Sequence, residues 1–223
     1  MEVFLTSVWG TRRSAEIAIE AERLGFTGVW LAEHHGTEYG RCEDAVELAL
    51  SIVERTSHLK VGTAAVPFWR SAPSSLAARV AGCPRLTLGV ARGSKAEAQC
   101  RPEVYEHGFG PWLTELASLV DGVKVAASST PTITLAASLG LPLLLGVEND
   151  DTAVASKLAA WGTGGDHVRV VLPSNVDWSW MLSWQGLKLS DPGPYVRHLR
   201  GITTTSLVRR QAVMLEAVGQ GGF

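Results

Sequence analysis

The chain has 223 residues, of which 46% are hydrophobic and 19% are charged, and its formal net charge is −2. This length and composition are typical of one globular domain, residues 1–223, with a sizeable core. The weak charge excludes a general attraction to nucleic acid or anionic lipid, and no apolar run is long enough to span a bilayer.

The first residues lack the basic and apolar regions of a secretory signal. The three cysteines, Cys42, Cys83 and Cys100, form no paired framework and no Cys-x-x-Cys motif. Unpaired cysteines of this kind favour reduced thiols. We therefore expect a cytoplasmic protein without disulfides.

Short apolar, β-branched runs alternate with helical patterns along the chain. The predicted strands are Val3–Thr6, Gly28–Leu31, Leu59–Val66, Leu86–Val90, Val123–Ala127, Leu141–Leu145, His167–Leu172 and Gly201–Thr205. The predicted helices are Ser14–Leu24, Asp44–Glu54, Pro73–Val80, Leu113–Val120, Thr132–Ser138, Asp150–Ala160 and Leu207–Val218. Repeated β-α units of this kind predict an α/β protein with a (β/α)8 TIM-type barrel. The barrel would be incomplete if one of the eight predicted strands did not form.

Three polar residues, Glu33, His34 and His35, follow the second predicted strand. In such barrels the active site lies at the carboxyl ends of the strands. An imidazole titrates near neutrality and can move protons to or from a reacting oxygen. The two histidines, together with the neighbouring carboxyl group of Glu33, are therefore catalytic candidates. One of the histidines can equally be structural, packing against the barrel wall. A metal site would need further ligands at fixed spacing, and none is predicted.

Polar residues also follow the fourth and fifth predicted strands. Ser128, Ser129 and Thr132 lie at the start of a helix, where hydroxyls, free N–H groups and the helix dipole suit an anion. Arg92, after the neighbouring strand, would add a bidentate positive charge. An ordinary capped helix beside a surface arginine would give the same pattern, since such caps are common.

An aromatic cluster occupies Asp177–Trp184, with three tryptophans in seven residues. Trp178 and Trp180 are candidates for an aromatic wall that binds a flat substrate or a flavin. They equally suit a subunit interface, where tryptophan is enriched, or packing in the interior.

Two segments of the first half resemble the bacterial luciferase-like monooxygenase family. Leu24–His35, followed by Thr37–Gly40, resembles the family's second β-unit, in which His34 falls on the histidine that assists proton transfer. Val61–Ala65 resembles the third strand, where a non-proline cis peptide lies against the flavin ring. The resemblance therefore implies that Ala64 and Ala65 form this cis bond and contact the cofactor.

The resemblance continues through the phosphate-binding segments. Leu88–Gly93 resembles the fourth strand, whose arginine, here Arg92, binds the flavin phosphate. Ala127–Thr132 resembles the start of the phosphate-binding helix, with Ser129 and Thr132 on the contacting positions. The chain departs from the family by its short length. It also departs at Val120–Gly122, which leads straight into the fifth strand where relatives insert a long excursion.

This resemblance implies a flavin-dependent monooxygenase. Reduced FMN, supplied by a separate flavin reductase, would react with O2 through a C4a-hydroperoxide beside a small organic substrate, and the protein would be a homodimer. Three alternatives remain open, because a fold does not determine a function. They are an FMN-binding carrier or scavenger without turnover, a deazaflavin-dependent oxidoreductase and a barrel enzyme without a cofactor.

Overall fold

The computed structural model describes residues 2–5, 11–23, 25–35, 42–93, 95, 98, 101–145, 151–162 and 167–169. Its strands are β1 (Glu2–Leu5), β2 (Gly28–Leu31), β3 (Lys60–Thr63), β4 (Val66–Pro67), β5 (Leu86–Thr87), β6 (Gly89–Ala91), β7 (Lys124–Ala126), β8 (Leu143–Leu145) and β9 (His167–Arg169). Its α-helices are α1 (Thr11–Arg23), α2 (Ala45–Arg55), α3 (Pro73–Val80), α4 (Pro102–His107), α5 (Phe109–Leu119), α6 (Thr130–Ser138) and α7 (Asp151–Trp161), and a 3-10 turn covers Phe68–Arg70. The predicted eighth strand and final helix lie outside the described residues.

The strands pair in parallel and follow one another in chain order. One ladder has the order β1-β2-β3-β5 and the other has the order β4-β6-β7-β8-β9. β3 and β4 flank Ala64–Ala65, and β5 and β6 flank Leu88, so each pair forms the two halves of one interrupted strand. The described residues thus form seven consecutive positions of a parallel sheet, which is the arrangement of a (β/α) barrel wall.

The third and fourth predicted strands are broken where a single run was expected. The Ala64–Ala65 peptide bond is cis, as the family resemblance predicted. At this break the Thr63 hydroxyl donates to the Gly89 carbonyl oxygen at 2.8 Å and accepts from the Gly89 N–H at 2.9 Å. A Cβ on Gly89 would collide with the Thr63 carbonyl oxygen, so glycine permits this approach. The side chain of Thr63 therefore connects β3 to β6.

Helices cover the outer face of the sheet through two apolar clusters. One apolar stripe of α1 is buried, with Ile17, Ala18 and Ala21 at 1% exposure or less. It packs with α2 against β2 and β3 in the smaller cluster. The larger cluster lies beneath α3, α5 and α6, where helical spacing likewise directs one apolar face inward.

Charged side chains satisfy the backbone at the amino-terminal edge of the sheet. The Glu22 carboxylate accepts hydrogen bonds from the backbone N–H groups of residues 57–59 at 2.8–3.1 Å. Burial alone would raise the pKa of Glu22, but these N–H groups outweigh it and lower the pKa. Arg85 donates to the carbonyl oxygens of Val53, Thr56 and Leu59, where α2 ends. Glu22 thus binds the N–H groups of the α2–β3 connection, and Arg85 binds carbonyl oxygens of the same connection and of the end of α2.

The sequence did not predict α4 and the first turn of α5. No helix was predicted between Val90 and Leu113, a stretch that contains Gly108, Gly110 and Pro111. In the structure Pro111 lies in the first turn of α5, where a helix needs no backbone donor, and Gly108 joins the two helices. None of the described helices has the length and apolar character required to cross a membrane.

Candidate active site

The candidate residues lie at the carboxyl ends of neighbouring strands. β2 leads into Glu33–His35, β6 into Arg92 and β7 into Ser128–Ser129, with Ala64–Ala65 at the end of β3. The register pairs Leu31 with Thr63, Pro67 with Ala91 and Ala91 with Ala126. Parallel strands in this register bring their carboxyl ends to one edge of the sheet. The structure thus brings these predicted site segments to adjacent strand ends.

The buried carboxylate of Glu33 connects a histidine to a helix. Glu33 is 7% exposed. Its Oε1 lies 2.7 Å from His35 Nε2, and its Oε2 accepts the backbone N–H of Ala45, the first residue of α2, at 2.9 Å. A negative charge is favourable at a helix N-terminus. Glu33 therefore orients His35 and anchors α2 with the same carboxyl group.

His34 has a hydrogen-bonded backbone and a lowered pKa. Its N–H and C=O both bond to Cys42 at 3.2 Å, in an isolated antiparallel bridge. Burial, followed by the charge of the neighbouring His35, lowers the pKa of His34 to about 4. His34 is consequently neutral near pH 7. Its imidazole can donate or accept a hydrogen bond there, but the lowered pKa makes it a weak base at that pH.

Trp69 is a residue of this edge that the sequence analysis missed. It is 5% exposed, and its ring meets that of His35 edge-to-face at a centroid distance of 5.7 Å. Gly93 has φ +77°, and a Cβ there would lie 2.9 Å from both Trp69 Nε1 and Pro67 Cβ. Within the described residues Trp69 Nε1 has no hydrogen-bond acceptor. Trp69 therefore fills the space between His35 and the end of β6.

Arg92 lies against the C-terminal turn of α4. Its Nη2 donates to the carbonyl oxygens of Tyr105 at 3.1 Å and Glu106 at 3.3 Å, and lies 3.4 Å from Glu106 Oε2. Its guanidinium stacks 4.6 Å from the centroid of the Tyr105 ring. Lys95 Nζ lies 2.6 Å from the other carboxylate oxygen, Glu106 Oε1. The sequence predicted Arg92 but none of these partners, because α4 itself was not predicted.

The start of α6 presents hydroxyls that do not cap the helix. Ser129 is the N-cap residue, but its side chain makes no capping hydrogen bond, unlike the ordinary capped helix that was the alternative interpretation of the sequence. Its Oγ lies 3.1 Å from the Oγ1 of Thr132, which is 8% exposed, and Ser128 is exposed. Pro131 occupies the first turn, so the helix begins two residues before the predicted start at Thr132. The N-terminus of α6 thus lacks a side-chain cap.

Other predicted features stand apart from this edge. Trp178 and Trp180 lie outside the described residues. Within the part of the chain that the structure describes, no three His, Cys, Asp or Glu residues are grouped for a metal ion.

The sequence pattern of a family described as luciferase-like monooxygenase matches residues 6–107. The resemblance stated from the sequence is therefore confirmed. The matched range contains Glu33–His35, Ala64–Ala65 and Arg92, whereas Ser128–Thr132 lies beyond it. No curated protein matches the chain by sequence.

Three solved structures illustrate the likeness of fold. Apo-MsnO8 is 20% identical with a TM-score of 0.61, over 78% of this chain and 62% of that one. The oxygenating constituent of 3,6-diketocamphane monooxygenase from Pseudomonas putida, a type II Baeyer–Villiger monooxygenase in complex with FMN, is 12% identical, with a TM-score of 0.59 over 71% and 60%. An F420-dependent secondary alcohol dehydrogenase, in complex with an F420–acetone adduct, is 13% identical, with a TM-score of 0.59 over 93% and 83%.

The structural likeness to these three proteins establishes the fold, which is that of luciferase-like TIM-barrel enzymes. The chain spans less than two thirds of the length of apo-MsnO8 and of the diketocamphane monooxygenase constituent.

Replacing His34 by Gln should flatten the acid side of the stability profile. The folded-state pKa of His34 is about 4 and its ordinary value is 6.5, so between these values the unfolded chain binds more protons. The free energy of unfolding should therefore fall as the pH falls from 6.5 to 4. Urea unfolding across this range measures the slope in His34→Gln. His107→Gln, at an exposed histidine, is the control, and equal slopes in both variants would contradict the assignment.

Gly93→Ala should destabilise the protein more than Gly25→Ala does. Both glycines have positive φ, +77° and +86°, but nothing lies within 4 Å of a Cβ on Gly25. Gly25→Ala thus measures the backbone cost alone, and Gly93→Ala adds the contacts with Trp69 and Pro67. Denaturant unfolding should show an additional loss of about 1–3 kcal/mol, the usual cost of overpacking. Equal losses would mean that Trp69 does not pack closely on Gly93.

Proposed function

We propose that this chain, which carries the luciferase-like monooxygenase pattern over residues 6–107, is a flavin-dependent monooxygenase. It uses reduced FMN and O2 to oxygenate a small organic substrate, and a separate flavin reductase supplies the reduced FMN. One observation carries the proposal: His34, Ala64–Ala65, Arg92 and the uncapped start of α6 lie at the ends of consecutive strands, in the order that the sequence resemblance implies.

The residues at this edge suit a flat ring that bears a phosphate. Ala64 and Ala65 have small, half-buried side chains at the end of β3, which leave room for a ring. The hydroxyls of Ser129 and Thr132 and the N-terminus of α6 provide donors for an anion. Arg92 follows the neighbouring strand and provides a positive charge. Reduced FMN bound here would supply the electrons that activate O2.

The two histidines of the site have different proposed roles. His34 is assigned the proton transfer that the family resemblance implies. Because its lowered pKa makes the neutral imidazole a weak base near pH 7, it would hold a proton from a reacting hydroxyl oxygen only transiently before returning it. Glu33 and His35 act through the packing of the site, because Glu33 holds both His35 and the first turn of α2. The buried Trp69 ring packs edge-to-face against His35 and limits the access of water there.

A deazaflavin-dependent oxidoreductase is the second candidate. The F420-dependent secondary alcohol dehydrogenase is the structure, among the three compared, whose length this chain spans most fully, at 83%. The same edge would then bind a phosphate-bearing deazaflavin, and His34 would handle the proton that accompanies hydride transfer. In a binding experiment, the two candidate functions differ only in which cofactor the protein binds, FMN or F420.

Cofactor titration followed by mixing with O2 tests the proposal. FMN, reduced FMN and F420 are titrated into the purified protein by fluorescence, and the reduced complex is then mixed with aerated buffer in a stopped-flow instrument. The proposal expects saturable binding of reduced FMN and an altered rate of flavin reoxidation. Binding of F420 alone would support the deazaflavin enzyme. FMN binding with no change in oxygen reactivity would indicate a carrier, and no binding of any flavin would overturn both candidates.

Arg92→Ala should weaken the binding of FMN far more than that of riboflavin, because only FMN carries the phosphate. Hydrogen bonds to charged groups contribute about 1.5–3 kcal/mol, so the Kd of FMN should rise by roughly 10- to 100-fold. Fluorescence titration of both ligands gives the two Kd values. Arg23→Ala, at an exposed arginine at the end of α1, is the control. Equal losses for FMN and riboflavin would refute the phosphate site.

A further inference from the structure

Arg92 is engaged by an anionic partner of the protein's own chain. Glu106, on the last turn of α4, approaches it with both a carboxylate oxygen and a backbone carbonyl, and the Tyr105 carbonyl accepts from Nε and Nη2. Within the described residues Arg92 Nη1 has no hydrogen-bond acceptor. The side chain is 38% exposed, so an external anion can approach the guanidinium.

We propose that Glu106 competes with phosphate for Arg92 and so sets how strongly the site selects a phosphate-bearing ligand. The inference rests on the proposed function, since it concerns the same anion site. A phosphate that binds Arg92 displaces the Glu106 carboxylate from Nη2 and leaves two negative groups close together. The affinity for the phosphorylated ligand is therefore lower than Arg92 alone would provide. A neutral ligand experiences no such competition.

Lys95 gives the Glu106 carboxylate a partner when a phosphate displaces it from Arg92. Its Nζ lies 2.6 Å from Glu106 Oε1, the oxygen that does not face Arg92. The hydrogen bond and charge of Lys95 hold the pKa of Glu106 below its ordinary value, so the carboxylate remains ionised near neutral pH. When Arg92 turns to a phosphate, Glu106 keeps an ion pair with Lys95. The carboxylate thus has a second partner in the ligand-bound state.

The Tyr105 side chain limits how far Arg92 can move. The guanidinium stacks on the Tyr105 ring at 4.6 Å, and the Tyr105 hydroxyl donates to the Gly93 carbonyl oxygen at 3.2 Å. Stacking fixes the plane of the guanidinium and leaves its edges available for hydrogen bonds. Arg92 can therefore exchange one acceptor for another without leaving the ring. The choice between carboxylate and phosphate is made at the guanidinium edge.

Glu106→Gln tests the inference, since the amide keeps the size of the side chain and removes its charge. Exposed charge pairs contribute about 0.2–1 kcal/mol, so the Kd of FMN should fall by roughly two- to fivefold. The Kd of riboflavin should not change. Glu103→Gln is the matched control, because Glu103 is an exposed carboxylate on the same helix with no contact to Arg92. This control should leave the Kd of FMN within error of the unmodified protein.

The outcomes separate the two levels of the proposal. Tighter FMN binding in Glu106→Gln alone supports the competition. Equal effects of Glu106→Gln and Glu103→Gln, or none, would overturn it while leaving the anion site intact if Arg92→Ala still weakens FMN selectively. Tighter binding of riboflavin as well would also overturn it, because the effect would not depend on the phosphate. Absence of FMN binding in the unmodified protein would remove both the competition and the proposed function.

Discussion

The Thr63 hydroxyl is the contact on which the continuity of the sheet depends. The ladder of β3 with β5 stops where the chain turns at Ala64–Ala65, and the ladder of β4 with β6 begins after it. Between them Thr63 makes both hydrogen bonds that a strand residue would otherwise make to Gly89. Since Thr63 is fully buried, neither group can turn to water instead. The two ladders and the candidate site between them are held in one wall by this side chain.

Much of the fold could be predicted from the periodicity of the sequence. Buried strands are short and rich in β-branched residues, and the helices carry one apolar stripe, so most elements fall within three residues of their expected bounds. α3 matches its prediction at both ends, because Pro73 defines its first residue. The break at Ala64–Ala65 could be predicted only through the family resemblance. α4 was missed because glycine and proline indicate a loop unless their position within a helix is known.

The candidate site could be predicted in part, for a reason that lies in barrel geometry. Residues at the carboxyl ends of parallel strands share one edge, so Glu33, His34 and Arg92 were identifiable from their positions alone. Their partners were not, since Trp69 and Glu106 come close only through tertiary packing. The lowered pKa of His34 is likewise a property of burial, which sequence patterns do not reveal. Sequence indicates where polar groups gather, and the structure shows which ones are already engaged.

The paired anchors at the amino-terminal edge have a consequence for how such a protein can change over time. Glu22 and Arg85 satisfy the α2–β3 connection far along the strands from His34 and Arg92. Substitutions at the carboxyl edge of the sheet, where the candidate site lies, therefore leave the stabilising contacts of the amino-terminal edge in place. The chemistry of the site can change in this way without loss of those contacts.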